Sequence, residues 1–202
     1  MGKMICLMGK SSSGKDTIYK HLMADPRLAL RPIVPYTTRP IRAGEQNGVE
    51  YFFTDEAGFH RLQSEGRIIE ERAYRTVHGL WRYFTVADEQ LDLAAADYCL
   101  IGTLEAYRSL RNYYGPDRVL PVLIELDDGE RLSRALARER VQQHPRYEEM
   151  CRRFLADSQD FSETRIKGAG ITRRFCNDEL ESCLEAIYTY IKQENAFTDK
   201  ER

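Results

Sequence analysis

Met4-Ile5-Cys6-Leu7-Met8-Gly9-Lys10-Ser11-Ser12-Ser13-Gly14-Lys15-Asp16-Thr17 decides the fold. Five apolar residues predict a buried strand, and the glycine-spaced, serine-rich run behind them predicts a tight loop that opens into a helix. Gly9 and Gly14 stand five positions apart, and lysine follows the second. This is the P-loop layout: successive backbone N–H groups and a helix N-terminus form an anion nest, and the lysine adds a mobile positive charge. Small side chains at Ser11, Ser12 and Ser13 let the backbone wrap a phosphate closely. The expected ligand is a nucleotide polyphosphate, with Lys15 reaching its β- and γ-phosphates. Asp16 occupies the place where a hydroxyl ordinarily ligates Mg²⁺. A carboxylate can serve that ion directly or through water, and Thr17 offers a hydroxyl one residue on, so both are candidate metal ligands.

Outward from this motif, 202 residues with 42% hydrophobic and 31% charged content fit one soluble domain with a substantial core. A formal net charge of −2 supplies no global basic field, so no nucleic-acid partner is expected. The apolar run Met4–Met8 is too short for a leader peptide, and no stretch reaches membrane-helix length. Cys6, Cys99, Cys151, Cys176 and Cys183 form no C-x-x-C pair. Cys6, Cys99 and Cys176 lie in strand-like runs and read as small core hydrophobes, so the reducing cytoplasm is the expected compartment. Oligomeric state, monomer or homodimer, is not legible.

Strand-like and helix-like runs alternate, which predicts an α/β fold with a central parallel sheet. Helices are expected over Gly14–Met23, from a cap at Thr54 or Asp55 to Ser64, over Asp88–Ala95, after Ile101 to Tyr113, over Glu130–Arg140, over Arg146–Thr164 and from a cap at Asn177 or Asp178 to Lys192. Strands are expected at Ile33–Tyr36, Tyr51–Phe53, Arg67–Glu70, Tyr98–Ile101, Val119–Leu126 and Ile171–Cys176, with a hairpin over Tyr74–Thr85. In the helix over Glu130–Arg140, Leu132, Ala135, Leu136 and Ala137 form the expected apolar side.

Thr37-Thr38-Arg39-Pro40-Ile41-Arg42-Ala43-Gly44-Glu45 reads as a second anion site. Two arginines three residues apart stand beside hydroxyls, and Tyr51 follows. Arginine forks match phosphate oxygens bidentately. The longer pattern Thr37-Thr38-Arg39-Pro40-x-Arg42-x-Gly44-Glu45-x-x-Gly48-x-x-Tyr51-x-Phe53 resembles the GMP-phosphate loop of guanylate kinases, and the order of motifs follows that family over nearly the whole chain. The resemblance implies a P-loop, three-layer fold with core segments 1–34, 87–137 and 152–193. It adds a β-rich NMP-binding insertion over 35–86, a helical lid over 138–151 and a frayed tail over 194–202.

The same resemblance implies ATP as donor on Gly9, Ser11, Ser12, Ser13, Gly14, Lys15, Asp16 and Thr17, with Asn177 beside its adenine and Mg²⁺ as cofactor. It implies GMP as acceptor on Thr38, Arg39, Arg42, Tyr51, Glu70, Tyr83 and Thr85, the last if a short insertion near Arg75–His78 is allowed. Glu70 carries a physical argument of its own. Guanine presents N1–H and N2 amino donors side by side, and an ionised carboxylate accepts both, whereas adenine presents an acceptor at N1. Lys15 with Arg138, Arg140 and Arg153 of the lid are the expected catalytic cations, because phosphoryl transfer depends on positioning and charge neutralisation.

One departure stands out. Guanylate kinases carry Asp-x-Asp where this strand ends Ile101-Gly102-Thr103. Two other readings therefore accompany GMP phosphorylation. One is a related kinase acting on another phosphorylated acceptor such as ribose bisphosphate, which Glu70 and the Thr-Thr-Arg loop oppose. The other is a non-catalytic module that binds phosphorylated peptides, which Lys15 opposes.

Overall fold

The computed structural model describes residues 2–76 and 79–200. In chain order the elements are β1 (Met4–Gly9), α1 (Lys15–Ala24), β2 (Arg31–Pro32), β3 (Tyr36–Thr37), β4 (Phe52–Phe53), α2 (Glu56–Ser64), β5 (Ile68–Thr76) and β6 (Gly79–Val86). They continue with β7 (Tyr98–Ile101), α3 (Leu104–Tyr114), β8 (Val119–Glu125), α4 (Asp128–Arg140), α5 (Tyr147–Asp160), α6 (Glu163–Gly168), β9 (Arg174–Cys176) and α7 (Leu180–Lys200).

All six residues of β1 are buried. The strand lies at the centre of a parallel sheet ordered β2-β7-β1-β8-β9. Because side chains alternate across a strand, β1 feeds two cores. Met4, Cys6 and Met8 pack on one face with Tyr107 and Leu110 of α3 and Ile166 of α6. Ile5 and Leu7 pack on the other with Ile18 and Leu22 of α1 and Ile187 and Ile191 of α7. Helices on both faces of a parallel sheet give the expected three-layer α/β architecture. A second sheet, ordered β4-β3-β6-β5, is antiparallel except for β3 with β4. It has its own small core of Phe59, Leu62, Phe84 and Val86. Asp55 caps α2 by accepting the Gly58 N–H at 2.7 Å. No helix among the described residues is long and apolar enough to cross a membrane.

Several sequence expectations are corrected. The strand expected at Ile33–Tyr36 is divided: Arg31–Pro32 joins the parallel sheet and Tyr36–Thr37 the second. Arg31 and Ile33 donate to the Asp97 and Cys99 carbonyls, so the ladder passes Pro32 on the sheet edge; it stops where the Val34 N–H goes to the Gln90 side chain at 2.8 Å and Pro35 has no donor. The helix expected over Asp88–Ala95 is a series of turns. Asp88 and Asp92 accept the backbone N–H groups of Gln90 and Ala94, the local competition that aspartate offers to a helix. The extended run at Arg67 and the hairpin beginning at Tyr74 are one long hairpin of β5 and β6. Val77 and His78, within the expected insertion near Arg75–His78, lie outside the described residues.

The helix expected over Arg146–Thr164 breaks after Asp160, where Phe161 packs into the core and Ser162 turns extended. The last strand is confined to Arg174–Cys176. Helix α7 runs on to Lys200, with Asn195 donating to Asp97 at 2.9 Å. Its first turn is capped by Glu179, which accepts from Glu181 and Ser182, in place of Asn177 or Asp178. In α4 it is Arg131 and Ala135 that are buried, while Leu132 is exposed.

Candidate active site

β1 delivers the chain to the loop at Gly9, where a Cβ would meet the Ile124 carbonyl at 2.6 Å, so only glycine lets the two backbones pack. Ser12 (φ 63°) and Gly14 (φ 90°) take left-handed conformations that curl the loop around its own N–H groups. Gly14 is the N-cap of α1 and no side chain caps it, so the helix start is left to an anion. The Ser13 hydroxyl is buried with no hydrogen-bond partner. A polar atom orphaned inside a phosphate-shaped loop suits a ligand with acceptor oxygens. Asn177 is buried and donates from Nδ2 to the Ser13 carbonyl at 2.8 Å, bracing the loop from β9.

A cavity of about 470 Å³ opens between the two sheets, lined by Asp16, Tyr51, Glu70, Arg72, Tyr83 and Thr85 among others. Antiparallel pairing of β5 and β6 sets Glu70 opposite Thr85, whose hydroxyl donates to Glu70 Oε1 at 2.8 Å. Both side chains are buried. Arg72 follows two residues later on the same face, its Nε 3.3 Å from Glu70 Oε2. Arg39 is buried beside this cavity, 5.4 Å from the Tyr51 ring. It donates to Glu45 through both terminal nitrogens at 3.0 and 2.8 Å. That carboxylate raises the guanidinium's affinity for its proton, so Arg39 stays charged. Burial raises the Tyr51 phenol, opposed by the charges of Arg39 and Arg72, so at neutral pH it remains a hydrogen-bond donor. Thr38 is tied to β6 instead, its hydroxyl accepting the Arg82 N–H at 3.0 Å. Arg42 is exposed, and its backbone N–H donates to Glu45 at 2.8 Å.

A second cavity, about 350 Å³, lies beside the loop and is lined by Gly9, Ser11, Lys15, Arg72, Gly102 and Asp157 among others. A third, about 590 Å³, separates α4 from α5 and includes Ser11, Ser12, Arg138 and Arg153. Arg138 donates to the Ser12 hydroxyl at 2.9 Å. Arg153 pairs with Glu149 at 2.8 Å, as does Arg152 at 2.6 Å. Their bonds hold the Glu149 carboxyl down at about 2. Arg140, expected beside Arg138, is exposed and lines none of the three cavities. Thr17 lies outside them as well, since one further residue turns it about 100° around α1 from Asp16. Among the described residues no group of three or more His, Cys, Asp or Glu could hold a metal ion. A nucleotide-borne Mg²⁺ needs fewer protein ligands, because phosphates and water complete its shell, and the Asp16 carboxylate suits that role.

Three neighbours of the site, Arg131, Asp157 and Arg72, carry no motif of their own in the sequence. Arg131 is 1% exposed; it donates to the Ser11 carbonyl at 2.9 Å and to Asp157 at 3.1 Å. Asp157 also accepts the Ser11 N–H at 2.7 Å. Arg72 stands over Glu70, and Glu45, at the end of the Thr37–Glu45 run, holds Arg39. The strand period of two places Arg72 on the face of Glu70, a signal that the spacing of the two residues carries by itself. Nothing local marks Asp157.

A family model described as guanylate kinase matches residues 1–81. The guanylate kinase of Porphyromonas gingivalis (strain ATCC BAA-308 / W83) is 29% identical over 204 residues, covering 96% of this chain and 98% of that protein. The guanylate kinase of Oleidesulfovibrio alaskensis is 43% identical over 79 residues, 39% of this chain and 36% of that protein. The crystal structure of guanylate kinase from Anaplasma phagocytophilum shares the fold, with a TM-score of 0.61 at 20% identity over 96% of this chain and 86% of that one.

Proposed function

We propose that the chain is a member of the guanylate kinase family, supported by the match over residues 1–81 and the full-length relative at 29% identity, and that it transfers the terminal phosphoryl group of ATP to GMP, yielding ADP and GDP. One observation carries the choice of acceptor: Glu70, buried and held by Thr85, presents a carboxylate to the cavity between the sheets. The carboxylate accepts guanine N1–H and the N2 amino group together; adenine would leave it facing an acceptor in a site with little water. Tyr51 and Tyr83 line the same cavity, and Arg39 lies behind Tyr51, so the acceptor phosphate rests there. Arg42 and Thr38 complete this loop as its outer cation and its anchor to β6.

The ATP phosphates lie on the N–H groups of Gly14–Thr17 at the start of α1 and on the Lys15 ammonium, with the Ser13 hydroxyl giving its proton to an oxygen, while the Ser11 N–H, held by Asp157, shapes the loop. Asn177 supports the loop under the donor nucleotide. Mg²⁺, held by Asp16 directly or through water, supplies neutralising charge when bound. The segment 138–151 acts as a lid over the core, and the insertion 35–86 carries the acceptor. Arg138 already reaches Ser12, and Arg153 exchanges Glu149 for phosphate as the lid closes, excluding water that would otherwise take the phosphoryl group. Arg140, exposed here, joins this set only if closure turns α4. Work in the cytoplasm belongs to the same reading, supported by five cysteines that are all free.

A coupled assay of ADP release with ATP and Mg²⁺ tests the proposal, with GMP, dGMP, AMP, UMP and ribose 1,5-bisphosphate offered in parallel. GMP is expected to be the best acceptor. Turnover of another acceptor with none of GMP would overturn it.

A further inference from the structure

The two cavities on either side of the site share one charged side chain. Arg72 lines the acceptor cavity with Glu70 and Tyr83, and it lines the phosphate-loop cavity with Gly9, Ser11 and Lys15. The guanidinium is poorly satisfied there. Its Nε is buried without a hydrogen-bond partner, and its contacts with Glu70 are long, 3.3 Å from Nε and 3.5 Å from Nη2. A guanidinium carries five N–H donors, and leaving them unused in a partly buried place is costly unless a ligand takes them. No carboxylate at Ile101-Gly102-Thr103 competes for them; the Thr103 hydroxyl is occupied as the cap of α3.

We propose that Arg72 is a catalytic residue, its guanidinium fork bridging the donor γ-phosphoryl group and the acceptor phosphate. This rests on the kinase reading above and adds to it a cation supplied from the strand that carries the base reader. In the transfer, an acceptor phosphate oxygen forms the new P–O bond. The bond from the γ-phosphorus to its bridging oxygen breaks, and the electron pair leaves with ADP. Arg72 moves no proton. It neutralises charge on the oxygens that the two phosphates bring together, and it does so best when both are present. The competing role is purely positional, in which Arg72 only orients Glu70 and affects guanine binding alone.

The test uses Arg72→Ala and Arg72→Lys in the full chain, each checked for an unchanged melting temperature. The non-reacting probe is P1-(5′-adenosyl) P5-(5′-guanosyl) pentaphosphate, whose phosphates cross the junction, titrated calorimetrically beside GMP alone. For Arg72→Ala we expect the linked probe to weaken about 100-fold and GMP alone less than about 3-fold. In turnover, kcat falls about 100-fold while KM for GMP stays within about 3-fold, and Arg72→Lys recovers part of the loss. The same losses persist when Glu70→Gln is the starting protein. If GMP alone weakens as much as the linked probe, or if the effect disappears in Glu70→Gln, Arg72 only positions Glu70 and the proposal is overturned. The guanine reading fails separately if the diadenosine pentaphosphate binds the wild type as well as the mixed probe. The Arg72 dependence is then read on the diadenosine compound. A wild type that binds neither linked probe overturns both.

Discussion

Asp157 accepts the backbone N–H of Ser11 at 2.7 Å, so a carboxylate on α5 is fastened to the phosphate loop itself. The same oxygen takes Arg131, which also donates to the Ser11 carbonyl and to Asp128. Phe154 lies 4.8 Å from that guanidinium. Loop, α4 and α5 therefore share one largely buried network, and the loop's shape depends on residues about 120 and 146 positions away.

Breaking this network from its centre is expected to be expensive. Arg131→Ala leaves Asp157 without its cation, while Asp128 keeps Lys10 at 3.4 Å, and should cost about 3 kcal/mol, by analogy with other buried pairs that lose one partner. Asp157→Asn keeps an acceptor for Ser11 and should cost about 1 kcal/mol. Urea midpoints at constant slope measure both; no loss in Asp157→Asn would show that the charge on Asp157 is irrelevant.

Gly14→Ala should separate donor from acceptor binding. Gly14 sits at φ 90°, and a Cβ there would approach Asn177 Nδ2 to 2.2 Å. The strain of about 1–2 kcal/mol and the displaced Asn177 distort the loop. ATP affinity is expected to fall at least about 10-fold while GMP affinity holds. Titration of each nucleotide alone decides this, and equal losses would place the damage outside the loop.

Glu70→Gln replaces an acceptor pair by one acceptor and one donor. With GMP, kcat/KM should fall about 100-fold, in line with the loss of a charge-assisted pair. AMP should improve relative to GMP. An unchanged ratio of the two would remove Glu70 from base selection.

The thiols should react in two classes. Cys151 and Cys176 are exposed, while Cys6, Cys99 and Cys183 are buried. Burial pushes Cys99 up to about 12 and Cys183 up to about 11, so neither yields thiolate at neutral pH. A chromogenic disulfide reagent should label two thiols in the native protein and five in denaturant. The bond from Cys176 to Asp178 raises that thiol, so Asp178→Asn should speed its labelling.

Glu149 gives a pH signature with a definite sign. Its folded value, about 2, lies below the ordinary 4.5 because Arg152 and Arg153 bond to the carboxylate. The stabilisation is therefore present above the unfolded value and is lost as pH falls from about 4.5 through about 2. These side chains are 37%, 65% and 64% exposed, so screening keeps the effect below about 1 kcal/mol. The stability difference between wild type and Glu149→Gln should shrink across that window; a difference that stays level would refute the assignment.

The chain's order of residues alone determined the phosphate loop and the strand that carries it, because their signals are contiguous. The apolar run Met4–Met8 anticipates a buried strand and the alternation of strand-like with helix-like runs a parallel sheet, while the structure shares Met4, Cys6 and Met8, and Ile5 and Leu7, between two cores. Glu70 and Thr85 were both legible as candidates, yet their meeting at 2.8 Å required the hairpin register. Tertiary structure decided the rest. Asp88–Ala95 has helical composition, but its aspartates bond to their own turns. Arg131 is buried and Leu132 exposed because Asp157 and the Ser11 carbonyl wait on one side of α4. Arg72 stands between two cavities because the second sheet folds over the mouth of the first. A charged side chain is placed by the partners that can satisfy it, and where those partners are far along the chain, no local pattern records them.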